Sequence, residues 1–365
     1  ERYHRLESYI QEKGLDAAVI TKPQNIFYFT GVYPRYGQGF AIFAQGKCRV
    51  ILAGSDMPDD LPPEMEISLD YYNDYSIEEV IIADRAAGEA LQKALGETVS
   101  GRGVIGLEGM PGSIVNLGIF ADYRIADIDE FVRTARKTKY PDEIEKITAS
   151  IDTVDRAILY IEEILTPGIT EIELASKVRE FFYIEAGIDV NWEACLGSGP
   201  RTADPDVQPS DRVIRRGDIV LADIFPNIRG YYGDTTRTFI LGRALDRHKE
   251  IHGLLERALA AGEKTLGPGV PASEVDKAIR KSLEHNGFGG IFPHHSGHGF
   301  GLSQLEQPYI IPGDNSLLEP GQIIALEPGL YIRGFGGMRL ESNYLIIENG
   351  FRALSNLPKE LVEVI

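Results

Sequence analysis

Cysteine is nearly missing from this 365-residue chain, with only Cys48 and Cys195 far apart in sequence. Two cysteines build no disulfide framework, so the fold must rest on its apolar core, and a reducing, cytoplasmic setting is the expectation. Long apolar runs are missing too. No stretch reaches the roughly 18 consecutive apolar residues of a membrane-spanning helix, so no membrane partner is expected. Basic residues are outnumbered, 37 against 55 acidic, for a net charge of −18. Most of such a surface repels a phosphate backbone, which argues against nucleic acid as a partner. Histidine is scarce at seven, yet three of the seven fall within residues 294–298.

What is present is ordinary for a soluble globular protein, 43% hydrophobic and 25% charged. The length calls for two domains. The first third alternates in the α/β manner. RYHRLESYIQEKG reads as an amphipathic helix stopped at Gly14, LDAAVIT as a buried strand, and FAIFAQG with CRVILAG as a hairpin. IEEVIIADRAAGEALQKALG reads as a second helix and VIGLEG as a further strand. RTARKTKYPDEIEKI looks like a linker entering a long helix at Pro141. The boundary falls within 134–141, giving domains 1–136 and 137–365. GVYPRYGQGF (31–40) is a Gly-Tyr-rich loop in which Arg35 and Tyr36 are candidate substrate contacts.

The remainder repeats itself. TPGITEIELASKVREFFYIEAG (166–187) matches GPGVPASEVDKAIRKSLEHNGFG (267–289) at an offset of 101, with Arg179 over Arg280. The terminal glycines, Gly187 and Gly287, are one residue out of register. Thr170 and Glu173 form a capping-box signature. GDIVLADIFPNIRGYYG (217–233) matches GQIIALEPGLYIRGFGG (321–337) at 104, with Asp223 over Glu327. The period is far longer than a solenoid's, so a duplicated α+β half is expected. A pseudo-two-fold relation would bring Asp223 and Glu327 to one centre.

DIVLADIF and YYGDTTRTF suggest an antiparallel hairpin with Asp223 and Asp234 nearly opposite. Like charges so placed repel, and a cation between them reverses the sign. The second half supplies Glu327 and Glu341, both in apolar sequence. His298 lies between Gly297 and Gly299, where an unencumbered backbone can approach a metal. One histidine and four carboxylates make a mostly oxygen donor set, favouring Mn, Co, Fe or Zn. Two divalent ions neutralise four carboxylates, which favours a two-metal centre. A structural ion is the alternative, although structural zinc sites are usually sulfur-rich.

The set Asp223, Asp234, His298, Glu327 and Glu341 resembles the five metal ligands of the pita-bread metallopeptidases: prolidase, aminopeptidase P and methionine aminopeptidase. GYYGDTTRT, SGHGFGL, LEPGLYI and MRLES are similar to that family's blocks, with spacings of 11 and 14 within the carboxylate pairs. GLDAAVITKPQNIFYFTG is similar to the creatinase/prolidase N-terminal domain, so the resemblance covers nearly the whole chain. It implies an α/β N-terminal domain followed by an α+β pita-bread domain with an internal pseudo-two-fold repeat. It implies a Xaa-Pro dipeptidase- or aminopeptidase-like enzyme in which a hydroxide bridging two divalent ions attacks an amide carbonyl. By the same resemblance Asp223 binds one ion, His298 and Glu327 the other, and Asp234 and Glu341 bridge. Glu327 would also shuttle a proton. His294 would steady the oxyanion and Arg339 would organise the site. A homodimer is implied as well. His295 falls at a variable family position and is taken as structural.

Two positions depart from that pattern. Proline-specific members carry a histidine seven residues after the metal histidine, where this chain has Leu305. A second family histidine follows a proline, where this chain has Asp206 after Pro205. Both are candidate substrate-binding positions. The expected substrate is therefore a small peptide with shifted selectivity. The alternatives are a metal-dependent hydrolase or lyase of another small molecule, a cation among them, and a non-catalytic binding protein of the same fold.

Overall fold

A computed structural model describes residues 1–56, 58, 66–109, 112–187, 190, 193–284 and 292–365. Gly287, whose register the repeat left open, lies outside the described residues. The chain divides into two compact units, Glu1–Arg136 and Lys137–Ile365.

The first unit runs α1 (Arg2–Lys13), β1 (Ala17–Ile20), α2 (Pro23–Thr30), β2 (Phe40–Ala44), β3 (Lys47–Ala53) and β4 (Ile67–Tyr72). It continues α3 (Ala83–Thr98), β5 (Val104–Leu107), α4 (Gly112–Val115), β6 (Arg124–Asp127) and α5 (Asp129–Lys137). Its six strands form one mixed sheet in the order β4-β3-β2-β1-β5-β6. Gly14 ends α1 at φ 61°, a left-handed conformation that glycine adopts without steric cost. Two expectations need correction. The helix expected from Ile77 is α3, and it starts at Ala83. The Ser76 hydroxyl accepts hydrogen bonds from the amides of Glu78 and Glu79 at 3.1 and 3.3 Å, a local turn that competes with helix. Ile77 and Val80 stand 87% and 95% exposed. The RTARK segment is also no linker but the last turns of α5, which bury Val132 and Ala135. In the 31–40 loop, Asp56 Oδ1 accepts from the amides of Arg35 and Tyr36, and the Tyr36 ring is exposed.

The second unit runs α6 (Pro141–Ile164), α7 (Glu171–Ala186), β7 (Ala194–Ser198), a 3-10 turn (Gly199–Ala203), β8 (Ile219–Ile224), β9 (Asn227–Ile228), β10 (Tyr231–Tyr232) and β11 (Thr235–Leu241). Then come α8 (Asp246–Thr265), α9 (Ala272–Glu284), β12 (Gly297–Gly299), β13 (Glu306–Ile310), β14 (Ile323–Leu326), β15 (Gly329–Ile332), β16 (Gly336–Arg339), β17 (Ser342–Ile347), β18 (Gly350–Ala353) and β19 (Val362–Val364). Thr170 caps α7 reciprocally with Glu173, as the capping box requires.

The duplication is visible in the strands. One sheet is ordered β19-β11-β8-β7 and the other β13-β12-β14-β17-β18. Helices α6 and α7 bury Val154, Ile158, Leu174 and Val178 against Val220, Ala222 and Phe239 of the first sheet. Helices α8 and α9 bury Leu255, Leu259, Val275 and Ile279 against Ile324, Leu326 and Tyr344 of the second. In each half an antiparallel strand pair, β8 with β11 and β14 with β17, is interrupted by a short ribbon, β9–β10 or β15–β16. No helix among the described residues is long and apolar enough to cross a membrane.

Candidate active site

The repeat dictates where the carboxylates stand. Each half offers one acid at the end of its incoming strand, Asp223 in β8 and Glu327 just after β14. Each offers a second acid directly before its outgoing strand, Asp234 before β11 and Glu341 before β17. Asp223 is the register partner of Thr236, so Asp234 is two positions off direct opposition, as the hairpin spacing suggested. All four are buried. They converge with His298 of β12, whose Nε2 lies 3.4 Å from Glu327 Oε1 and 3.7 Å from Asp234 Oδ2.

The glycines beside His298 serve a different purpose from the one their sequence suggested. A Cβ on Gly297 would lie 2.0 Å from the Ala325 carbonyl oxygen of β14. A Cβ on Gly299 would lie 2.5 Å from the Gln307 carbonyl oxygen. Glycine is needed so that β12 can fit between its two neighbouring backbones, and His298 is presented from that close-packed strand.

Arg339 sits at the end of β16 and ties the cluster together. Its guanidinium pairs with Asp223 and donates to Thr236 Oγ1 at 3.1 Å, to the Tyr331 hydroxyl at 3.0 Å and to the Pro205 carbonyl at 3.2 Å. Burial alone would weaken the cation, and the fields of Asp223, Tyr331 and Glu327 more than reverse this. Sequence reasoning missed Tyr331 and Thr236. The signal was available for Tyr331, four residues after Glu327 in the block LEPGLYI, whereas Thr236 looks like any strand threonine.

The three histidines differ. His298 Nδ1 lies 3.0 Å from the Gly299 carbonyl, which can only accept, so Nδ1 carries the hydrogen and Nε2 holds its lone pair toward the carboxylates. His294 Nδ1 is likewise fixed by the His295 carbonyl at 2.7 Å, and its Nε2 accepts from the Tyr331 hydroxyl at 2.8 Å. Both its ring nitrogens are committed, so the oxyanion role expected for His294 lacks a free donor here. His295, expected to be structural, instead lies 2.8 Å from Glu327 Oε1 through Nε2. Its place at a variable position of the family pattern gives no sign of this contact.

Burial sets most of the protonation equilibria. It pushes Asp223 up and Asp234 and Glu341 well above the ordinary carboxylate range, with the neighbouring carboxylates adding to the effect. Burial would raise Glu327 too, but the His295 hydrogen bond and the surrounding imidazoles hold it below its usual range. His295 is correspondingly raised by Glu327 against the opposing effect of burial. Burial lowers His294 to about 4 and also lowers His298.

These residues fit a divalent ion. Lone pairs of His298 Nε2 and buried carboxylate oxygens face one another, and Glu341 Oε1 has no hydrogen-bond partner. Such an arrangement is favourable only with a cation or protons among the acceptors. Donor atoms of Asp234, His298 and Glu341 lie within 4.8 Å of one another, and so do those of His294, His295 and Glu327.

The cluster floors a cavity of about 220 Å³ whose walls include Cys195, Pro205, Asp206, Phe225, Gln304 and Leu305. Leu305 is 43% exposed and Asp206 is exposed, so both departures from the family pattern border open space. Cys195 is held as a buried thiol. Burial pushes its thiol up to about 12, and Gln208 donates to its sulfur.

Residues 145–348 match the model of metallopeptidase family M24, and residues 2–137 match the creatinase/prolidase N-terminal domain. The chain belongs to metallopeptidase family M24. It is accordingly a metal-dependent peptidase with a divalent metal cofactor, built on the pita-bread fold. It is 29% identical to a Xaa-Pro dipeptidase of Pyrococcus furiosus, across 99% of both chains. It is 36% identical to a probable dipeptidase PepE of Mycobacterium tuberculosis over 64% of this chain and 63% of that one. The prolidase structure from Pyrococcus horikoshii superposes with a TM-score of 0.86 at 26% identity, covering 99% of each chain.

Proposed function

We propose that this member of the family hydrolyses dipeptides, with Asp223, Asp234, His298, Glu327 and Glu341 holding two divalent ions drawn from Mn, Co, Zn and Fe. The observation that carries the reading is that Asp234 and Glu327, one carboxylate from each repeat half, meet at Nε2 of His298, with Asp223 and Glu341 lining the same cavity. Relatives named Xaa-Pro dipeptidase and dipeptidase support the peptide substrate. Divalent ions at this place would polarise a substrate carbonyl and lower the pKa of water.

The chain's own residues supply the rest. Glu327 lines the cavity and is the carboxylate placed to take a proton and pass it to a leaving nitrogen. His295, which lines the cavity with its Nε2 2.8 Å from Glu327 Oε1, is the histidine that steadies this carboxylate. Arg339 fixes Asp223. Leu305 and Asp206 form the wall facing the substrate, and neither can donate the hydrogen bond that a histidine gives to a substrate carbonyl or carboxylate.

The test is release of the N-terminal residue from matched Xaa-Pro and Xaa-Ala dipeptides and tripeptides by Mn(II)- or Co(II)-loaded protein, with His298→Ala as control. Dipeptide cleavage abolished by the control supports the reading. Asp206 favours a second reading, a small cationic amide as substrate. Failure to cleave any peptide, with two ions bound, would sink the first reading in favour of the second.

A further inference from the structure

The loop that carries His294 and His295 is fastened from below by two residues of α9. Asp276 and Arg280 are one helical turn apart and share a face. The Asp276 carboxylate accepts from Arg280 Nε at 2.9 and 3.0 Å and from the Ser296 hydroxyl at 2.6 Å. Arg280 then reaches two carbonyls of the loop, Phe292 through Nη1 at 3.1 Å and His294 through Nη2 at 2.6 Å. Its guanidinium also lies 4.6 Å from the centre of the Phe292 ring. Asp276 and Ser296 are 1% and 0% exposed.

Ser296 extends the connection to the site. Its amide donates to Ile310 of β13, and its carbonyl accepts from the Glu327 amide at 3.0 Å. One helix turn therefore fixes the backbone on both sides of His295 and, through Ser296, Glu327, the carboxylate that His295 contacts. The first half of the repeat has the same design with different residues. From α7, the buried Glu171 accepts from the amide and hydroxyl of both Ser198 and Ser210, holding the loop that presents Asp206. Arg179, the repeat counterpart of Arg280, does nothing comparable: it is exposed and donates to the Tyr183 hydroxyl.

We propose that Asp276 and Arg280 are positioning residues for hydrolysis, setting where His294 and His295 stand relative to Glu327. The catalytic part of this claim rests on the peptidase reading above. Arginine is required because two carbonyls and one carboxylate must be bound by one rigid planar fork. The point charge of lysine can satisfy only part of that set.

The test compares Arg280→Ala, Arg280→Lys and Arg179→Ala with the parent in the full-length Mn(II)-loaded protein, recording kcat, KM and melting temperature. Displacements of the order of 1 Å cost about 100-fold in rate, so Arg280→Ala should lower kcat by about 10- to 100-fold and leave KM within about threefold. Arg280→Lys should regain most of the melting temperature while kcat stays about tenfold or more below the parent. Arg179→Ala should match the parent. A second arm needs neither metal nor activity: imidazole NMR of the metal-free proteins. His294 and His295 ring signals should move in Arg280→Ala, while the signal of exposed His4 stays in place. Recovery of kcat in step with melting temperature in Arg280→Lys would overturn the proposal, as would unmoved His294 and His295 signals in Arg280→Ala. A parent that cleaves no peptide counts against the proposed function alone, because the NMR arm still decides the clamp.

Discussion

Asp223 and Glu341, one from each half of the repeat, share a single hydroxyl. Thr236 Oγ1 lies 2.7 Å from Asp223 Oδ1 and 2.8 Å from Glu341 Oε2. A threonine hydroxyl has one hydrogen, so it can donate to only one of them. In the metal-free protein the other contact becomes favourable when a carboxyl carries its own proton, in line with the raised pKa of Glu341.

Metal binding should therefore expel protons. Calorimetric titration of Mn(II) into metal-free protein at neutral pH, repeated in buffers of different ionisation enthalpy, should report release of about one proton or more. Apparent affinity should rise with pH across the same range. A heat of binding independent of the buffer would mean that the carboxylates are already ionised.

Tyr331 lies between Arg339 and His294, accepting from the first and donating to the second. Tyr331→Phe leaves the His294 Nε2 lone pair and one Arg339 donor without partners in a largely buried place, each costing about 1–3 kcal/mol. A kcat reduced about tenfold or more, with metal content unchanged, is the expected outcome. A kinetic profile equal to the parent's would show the hydrogen-bond chain to be idle.

Much of this site was legible in the sequence because duplication places acids at corresponding points of corresponding strands. Asp223 over Glu327 is a register match, and register determines position in space once both halves fold alike. What the sequence could not convey were contacts made through backbone carbonyls. The tautomers of His294 and His298 depend on the carbonyls of His295 and Gly299, and the task of Gly297 depends on that of Ala325. The start of α3 differs from the sequence expectation for a local reason. The sequence suggests helix over Ile77–Ile82, but the Ser76 turn prevails, and Ile77, Val80 and Ile82 gain no burial there.

Gly297→Ala tests that backbone argument. A methyl 2.0 Å from the Ala325 oxygen cannot be relieved by a side-chain rotation, because both atoms belong to paired strands. The variant should lose about 1–3 kcal/mol of stability or more, and much of its metal affinity, since overpacking must displace the strand carrying His298. A melting temperature within about 1 °C of the parent would contradict this.

Leu305 and Asp206 give a specificity prediction. Leu305→His places a hydrogen-bond donor at the cavity wall and should raise kcat/KM for Xaa-Pro dipeptides by about 10- to 100-fold, the worth of one bond to a charged group. Asp206→Asn should lower the ratio of kcat/KM for lysine-containing over norleucine-containing peptides by about two- to fivefold, as befits an exposed charge. Unchanged ratios would remove both residues from substrate recognition.

Asp155 on α6 provides a stability test remote from the histidines. Burial raises its carboxyl to about 6 from 3.8, against lowering contributions from the Asn356 amide, Arg237 and the Thr235 hydroxyl. An acid with a raised folded pKa binds more protons in the folded state between the two values, so stability falls as pH rises from about 4 to about 6 and levels off above. The difference amounts to about 2–3 kcal/mol. Asp155→Asn keeps an acceptor for the Asn356 amide and a donor for Thr235 but cannot ionise. The variant's melting temperature, measured relative to the parent, should therefore rise by about 5–10 °C between pH 4 and pH 7. If that difference stays flat across the interval, the Asp155 carboxyl titrates in the folded protein as it does in the unfolded chain, and burial does not hold its proton.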